Sequence, residues 1–257
     1  MRRTPRVRSD YDTAAETYDT VRFGTPGGNY ADSVEKEFVA RAARGPRVLE
    51  VGTATGRFAI VFVRIGFEYT GIDISNRMLR VTSKRVRALG GEASLLQMDV
   101  GHMGFRRHFD SVICVRTFHF LPSPIDALRN IKEALDNGGR CLVTFETDNP
   151  LRRLLLGIGL GKAEQRYYRR TEVEKMFRES GFHAIQGGAV MRMPVTFYRR
   201  CPSAWLRMLR RLEGLWLWAM HEYVLGDAHH EASTRTSYKE ILERAKLESA
   251  SEKSVSR

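Results

Sequence analysis

With 257 residues, 42% of them hydrophobic and 28% charged, the chain holds enough apolar material for one large core, or for a main domain with a small appendage. A peptide, a collagen-like repeat and an all-disordered chain are excluded. Lys and Arg number 42 against 30 Asp and Glu, a formal charge of +12, which favours RNA, acidic headgroups or phosphorylated metabolites without choosing among them; an arginine-rich composition habit explains it equally well.

The three cysteines, Cys114, Cys141 and Cys201, lie far apart and form neither a disulfide framework nor a metal-ligand cluster. No metal site is expected. The basic start has no apolar run behind it, and Phe58 to Val63 and Leu215 to Met220 fall far short of a membrane span. The expected compartment is the cytoplasm, with peripheral membrane contact left open.

In chain order, residues 1 to 9 read as loose and Tyr11 to Tyr18 has helical spacing, inside a doubled phrase, YDTAAETYD. RFGTPGGNY reads as a glycine-rich connection before a helix near Ala31 to Arg44, which Gly45-Pro46 stops. Strand RVLEV follows, then a helix containing FAIVFVRIG, a strand at Tyr69 to Ile74, a basic helix from Ser75 to Leu89, and strands at Ala93 to Met98 and Phe109 to Val115. A helix from Ser123 to Leu135 and a strand at Arg140 to Phe145 continue the alternation, which predicts an α/β fold with a doubly wound, mostly parallel sheet. Thr171 and Glu174 have capping-box spacing ahead of a helix that Gly181 ends, and His183 to Met191 supplies a further strand. After Pro202 the run from Ser203 to Leu225 reads as one long amphipathic helix. A last edge strand falls, if anywhere, in DAHHEASTRTSY. The expected organisation is an amino-terminal helical cover (1–44), a core (45–191), and an added helical segment with tail (192–257).

The chemistry concentrates in VLEVGTATGRFA and GIDIS. A strand carrying Glu50 opens into a turn with Gly52 and Gly56, where missing side chains let a ligand approach the backbone. Asp73, 21 residues after Gly52, ends the next strand, at the distance where an acid grips the two ribose hydroxyls of a nucleoside cofactor. A nicotinamide dinucleotide site prefers G-x-G-x-x-G. Here the line is E-x-G-x-A-x-G, with Thr53, Ala54 and Thr55 filling the turn, and the acid before Gly52 suits a cationic amino-acid tail better than pyrophosphate.

These residues, over about Arg47 to Gly188, resemble the class I S-adenosylmethionine-dependent methyltransferases, whose seven-stranded-type Rossmann-like sheet the resemblance implies here. Glu50, Gly52, Ala54 and Gly56 match that family's first motif except at the middle glycine, where alanine adds one methyl. By resemblance Glu50 and the turn with Thr53 hold the methionine part of S-adenosyl-L-methionine, and Asp73 with Ile74 the ribose. Asp99 reaches the adenine amino group and Met98 or Val100 lines its ring. YDTAAETYD resembles a phrase of the quinone-methylating, small-molecule branch, where it forms a helical cover, so Tyr18, two helical turns from Tyr11, is a candidate contact for acceptor or cofactor.

His119 follows the fourth strand and is a candidate general base; His102 is a weaker one. Arg116, Glu146, Asp148, Tyr167 and Tyr168 are candidates to border the acceptor. Trp205, Leu209, Leu212, Trp216 and Ala219 form a stripe beside Arg207 and Arg211 that fits a lid, a membrane-surface contact or a homodimer interface. The expected acceptor is a small or lipid-like molecule. RNA ranks below it because CVRTFHF lacks the Asn/Asp-Pro-Pro-Tyr/Phe phrase that resembles an amino-nitrogen methylating site, and no RNA-binding module is recognisable. A cofactor-binding regulator without turnover is the non-enzyme alternative.

Overall fold

The computed structural model describes residues 3–158, 166–192, 195–201, 205–206, 208 and 219–228. Seven strands form one sheet in the order β3-β2-β1-β4-β5-β7-β6. They are β1 (Arg47–Val51), β2 (Glu68–Asp73), β3 (Ser94–Gln97), β4 (Phe109–Val115), β5 (Leu135–Glu146), β6 (His183–Met191) and β7 (His221–Asp227). β1 pairs in parallel with β2 and β4, as do β2 with β3 and β4 with β5; β7 runs antiparallel to both of its neighbours. The described helices are α1 (Arg3–Ala14), α2 (Tyr18–Phe23), α3 (Pro26–Ala42), α4 (Arg57–Arg64), α5 (Asn76–Ala88), α6 (Pro124–Ala134), α7 (Pro150–Gly157), α8 (Arg170–Glu179) and α9 (Val195–Arg200).

Strand alternation explains the two layers. Every residue of β4 is buried: Val112 and Cys114 join Leu49, Leu128, Phe145 and Phe177 on one face, while Ile113 and Val115 join Val48, Phe58, Phe62 and Leu142 on the other. A strand covered on both faces needs apolar residues at every position, and FDSVICV comes close to supplying them. Side-chain caps start the helices: Thr25 Oγ1 accepts from the Gly28 amide at 3.1 Å, Ser75 Oγ from Met78 at 3.1 Å, and Asn149 Oδ1 from Arg152 at 2.8 Å.

Several elements differ from the expectation. Arg3–Ser9 is helical, and the cover breaks between α1 and α2 at Ala15–Thr17. Pro26 and the glycine pair form the first turn of α3, so the connection shrinks to Gly24 and Thr25; a Cβ on Gly27 would lie 1.6 Å from the Tyr198 carbonyl oxygen, so glycine lets α3 and α9 meet. α8 begins at Arg170, with Glu172 accepting from the Arg169 amide at 2.8 Å, so Thr171 is not its cap. α7 and α9 have no counterpart among the expected elements.

The largest change is at the carboxyl side. Residues 221–225, expected as the end of a long helix, belong to β7, which lies inside the sheet between β5 and β6. The core therefore continues past 191, and β6 rather than a later segment is the edge. Asp227 fixes this strand through Arg44 and Arg140, at 3.0 and 2.9 Å. Of the predicted stripe, only Trp205 and Ala219 lie within the described residues, and DAHHEASTRTSY lies outside them beyond Ala228. No described helix is long and apolar enough to cross a membrane.

Candidate functional site

The carboxyl ends of β1, β2, β3 and β4 open onto a cleft. Strand order reverses between β1 and its two neighbours, β2 and β4, the place where open α/β sheets form a crevice for ligands. Glu50, Gly52, Thr53, Ala54, Asp73, Ile74, Met98, Asp99 and Val100 all line it, as do Tyr11 and Tyr18 from the cover and Arg116 from the end of β4. Gly56 does not. It starts α4 at φ 77°, and a Cβ there would meet Thr82 at 2.6 Å. At Gly52, φ 78°, a Cβ would meet Thr117 at 2.2 Å. Both glycines are thus required by backbone conformation and by protein packing, not by ligand approach alone.

Ala54 occupies the position of the missing middle glycine with φ 46°. The methyl therefore places an L-residue in the left-handed region, at a cost of about 1 kcal/mol, beyond narrowing the turn. The turn is held by Asp73, whose Oδ2 accepts from the Ala54 amide at 2.9 Å and whose Oδ1 accepts from the Ser75 amide at 2.8 Å. Burial raises the Asp73 pKa and these amides oppose the rise. Each carboxylate oxygen keeps a further lone pair for a hydroxyl donor.

Glu50 is buried and accepts at Oε2 from Thr53 Oγ1 at 3.1 Å and from the Tyr69 hydroxyl. Burial pushes its pKa up to about 8, against the lowering by those two hydroxyls. A carboxyl so desolvated is poised to take a cationic partner, which would restore its charge. Asp99 caps the short 3₁₀ turn at Val100–His102, accepting from the Gly101 amide at 2.9 Å, and Met98 and Val100 flank it with apolar surface. Three carboxylates therefore stand on successive strand ends, one desolvated at Glu50, one with lone pairs to spare at Asp73 and one beside an apolar slot at Asp99. This fits the methionine, ribose and adenine parts of S-adenosylmethionine.

The cover meets the cleft through packed aromatic rings. Tyr11 and Tyr18 lie 5.7 Å apart, and Tyr11 meets Phe120 edge-on at 5.6 Å. Burial, with Tyr18 alongside, raises the Tyr11 pKa and keeps its hydroxyl neutral. Ser75 Oγ donates to Asp12 at 2.6 Å and Thr55 Oγ1 to Asp19 at 2.8 Å, tying α1 and α2 to the turns.

His119 is not brought to the cleft. It sits in a 3₁₀ turn, buried, with its ring 4.0 Å from that of Phe120, and it is Phe120 that lines the cleft. His102 is exposed on its turn and Glu146, Asp148 and Tyr167 do not line the cleft either. Tyr168 packs in the core against Phe118 and Phe145. Asp148 instead pairs with Arg153 at 2.6 Å.

Three further residues of the site lie outside the expected set. Arg57 lines the cleft and pairs with Asp32 and Glu35, Tyr69 bonds Glu50, and Thr117 lines the cleft and lies close against Gly52. Arg57 directly follows Gly56, which was a usable signal. Glu35 carried none, because a carboxylate on a mixed helix reads as solvated. Among the described residues no His, Cys, Asp or Glu group is able to hold a metal ion.

A model of a methyltransferase domain family matches residues 27–186. The chain is 33% identical over 147 residues to the aklanonic acid methyltransferase DauC of Streptomyces sp. (strain C5), covering 54% of this chain and 64% of that protein. It is 24% identical over 173 residues to a ubiquinone biosynthesis O-methyltransferase of Nitrosospira multiformis, covering 62% of this chain and 72% of the relative. The chain thus spans just under two thirds of the first relative's length. In fold it is similar to the magnesium protoporphyrin IX methyltransferase from Synechocystis PCC 6803 solved with bound SAH, with a TM-score of 0.61 at 14% identity over 88% of this chain and 99% of that one. The family match covers more than half of the residues, and the chain belongs to the methyltransferase domain family, with the fold of the class I S-adenosylmethionine-dependent enzymes.

Proposed function

We propose that this chain transfers a methyl group from S-adenosylmethionine to a small-molecule acceptor. The observation that carries it is the order of acids along one sheet edge, Glu50, Asp73 and Asp99, around the Gly52 turn and beneath an aromatic cover. Bound there, S-adenosylmethionine supplies a methyl carbon already activated by its sulfonium and open to in-line displacement. Glu50 with Gly52 and Thr53 holds the amino-acid tail, Asp73 with Ile74 the ribose, and Asp99 with Met98 and Val100 the adenine.

The chain's own contribution is alignment and exclusion of water. Tyr11, Tyr18, Phe120 and Leu121 give the acceptor side aromatic and apolar walls, and Tyr18 is the proposed contact to the acceptor. Such walls suit a flat or lipid-like molecule and offer no basic track for a polynucleotide. The named relatives act in the same direction, one on aklanonic acid and one in ubiquinone biosynthesis. Contact with a membrane surface is the version of this proposal in which the acceptor is lipid-borne.

The test is incubation with labelled methyl donor and separate small-metabolite, lipid and RNA fractions. Label is expected in a metabolite or lipid fraction, and label in RNA alone would overturn the proposal. Calorimetry supplies the donor arm: Asp73→Ala should weaken binding of the methyl donor and of its demethylated product by roughly 10- to 150-fold, the worth of a buried charge-assisted hydrogen bond.

A further inference from the structure

The proposed donor half of the cleft uses the ends of β1, β2 and β3. Beyond β1 the sheet continues as β4, β5 and β7, and these ends carry different chemistry. Arg116 directly follows β4, Glu146 closes β5, and His221 opens β7 opposite Glu146 in register. Arg116 and Arg57 share the buried carboxylate of Glu35, with Arg116 Nε 2.7 Å from Oε1 and Arg57 Nη2 2.9 Å from Oε2. Arg152 Nη2 lies 3.0 Å from Glu146 Oε2, and His221 Nε2 lies 3.9 Å from Glu146 Oε1.

In this buried set Arg116 Nη2, Arg152 Nε and His221 Nδ1 have no hydrogen-bond partner among the described residues. Leaving a buried donor unfilled is costly, and a guanidinium left so in a cleft wall keeps capacity for a further acceptor. Arg116 is the one of the three that lines the cleft. Its backbone is held at φ 53°, a conformation unfavourable for any residue with a side chain. Its amide donates to Thr144 Oγ1 at 3.0 Å and its Nε to Glu35. The guanidinium is therefore fixed at one end and unfilled at the other.

Arg57, Arg116 and Arg152 find their ion-pair partners in Asp32, Glu35 and Glu146. His221 is not a further cation: burial, and then Arg116 nearby, bring its pKa down to about 4, so the ring is neutral near pH 7.

We propose that the acceptor is an acidic molecule, bearing a carboxylate or an ionised enol or phenol oxygen, and that the Arg116 guanidinium binds that oxygen. This rests on the methyltransferase proposal and names the acceptor class. A fixed guanidinium with one unfilled edge, desolvated next to aromatic walls, discriminates an oxygen anion from a neutral oxygen by charge as well as by hydrogen bonding. The proposed donor contacts lie at the β1, β2 and β3 ends, so an anion at β4 is assigned to the acceptor, and the S-adenosylhomocysteine arm of the test separates it from the donor's own carboxylate.

The experiment is calorimetry of the full chain with two probes matched in shape and differing in charge, naphthoate and naphthamide, with S-adenosylhomocysteine present. Wild type should bind naphthoate tighter than naphthamide by roughly 10- to 150-fold. Arg116→Gln should erase that preference while S-adenosylhomocysteine affinity stays within about twofold, and Arg116→Lys should keep part of the preference because it keeps the charge. Because Arg116 also neutralises Glu35, the substitution is repeated as Arg116→Gln with Glu35→Gln, and thermal melts report folding. Equal binding of the two probes by wild type, or no binding of either, overturns the proposal. So does an Arg116→Gln loss of S-adenosylhomocysteine affinity as large as the loss of naphthoate affinity, which would assign the guanidinium to the donor's own carboxylate. Absence of S-adenosylhomocysteine binding to wild type would strike the methyltransferase proposal instead, and the probe comparison run without it still decides the acidic-acceptor proposal.

Discussion

Ala54 is the residue at which local conformation and motif conflict. At φ 46° it adopts a backbone state that glycine reaches freely, while glycine also adds entropy to the unfolded chain. Ala54→Gly is expected to stabilise the fold by about 0.5 kcal/mol in urea melts, with donor affinity changed less than about twofold, since the amide to Asp73 is kept. Glu50 makes a pH prediction. Its pKa is about 8 folded against an ordinary 4.5, so between those values the folded chain holds more protons than the unfolded one. Stability without ligand should therefore fall as pH rises from about 4.5 to 8, and Glu50→Gln should flatten that fall. Glu35 acts in the other direction at lower pH: burial raises it, but Arg116 and Arg57 overcome this and hold it at about 2, so its contribution is present above 4.5 and is lost as pH falls toward 2. His119 separates the expectation from the structure most clearly. A general base typically supplies about 100- to 10,000-fold, whereas a ring buried behind Phe120 should leave turnover of His119→Asn within about threefold once an acceptor is in hand.

At the scale of elements, close approach of backbones decides what is tolerated. Gly27 lets the first turn of α3 meet α9, and Gly27→Ala would drive a methyl onto the Tyr198 carbonyl. Overpacking of this kind costs about 1–3 kcal/mol, so a melting temperature several degrees lower is expected by calorimetry. The same turn shows why its sequence misled: Gly24-Thr25-Pro26-Gly27-Gly28 has the composition of a connection, yet Thr25 caps and Pro26 suits the first helical position. The turns at Gly52 and Asp73 were legible because Glu50, Gly52 and Asp73 sit at or just past the ends of β1 and β2, two short strands with glycine close by. Arg116 was legible as a strand-end residue, but its partner Glu35 was not, since 81 positions separate them and only the fold brings α3 over β4. His119 had the same strand-end signal as Arg116. Which of two neighbouring side chains enters the cleft depends on the 3₁₀ turn at Phe118–Phe120, and three residues carry no readable period.

For the whole molecule, alternation of strands and helices announced the parallel half of the sheet, and the half completed by β7 was hidden. HEYVLGD follows directly on LWLWAM, and an apolar run without clear alternation reads equally as buried helix or as buried strand. The structure settles this by burial on both faces: Val224 packs with Phe177 and Phe182, and Leu225 with Phe58 and Leu142. An interior strand whose neighbours both supply hydrogen bonds should exchange its amides only on global or near-global unfolding. Hydrogen exchange read by mass spectrometry is therefore expected to protect residues 222–226 about as strongly as β4 and β5. β3 should exchange sooner, because it is an edge of four residues of which three are exposed. Substituting Val224→Ala, buried on the interior strand β7 and away from the residues that line the cleft, should cost about 1–3 kcal/mol. It should lower the protection of β5, β6 and β7 together while donor affinity at β1, β2 and β3 stays near that of the wild type. Fast exchange over 222–226 in the unmodified protein would show instead that the sheet is complete without this strand.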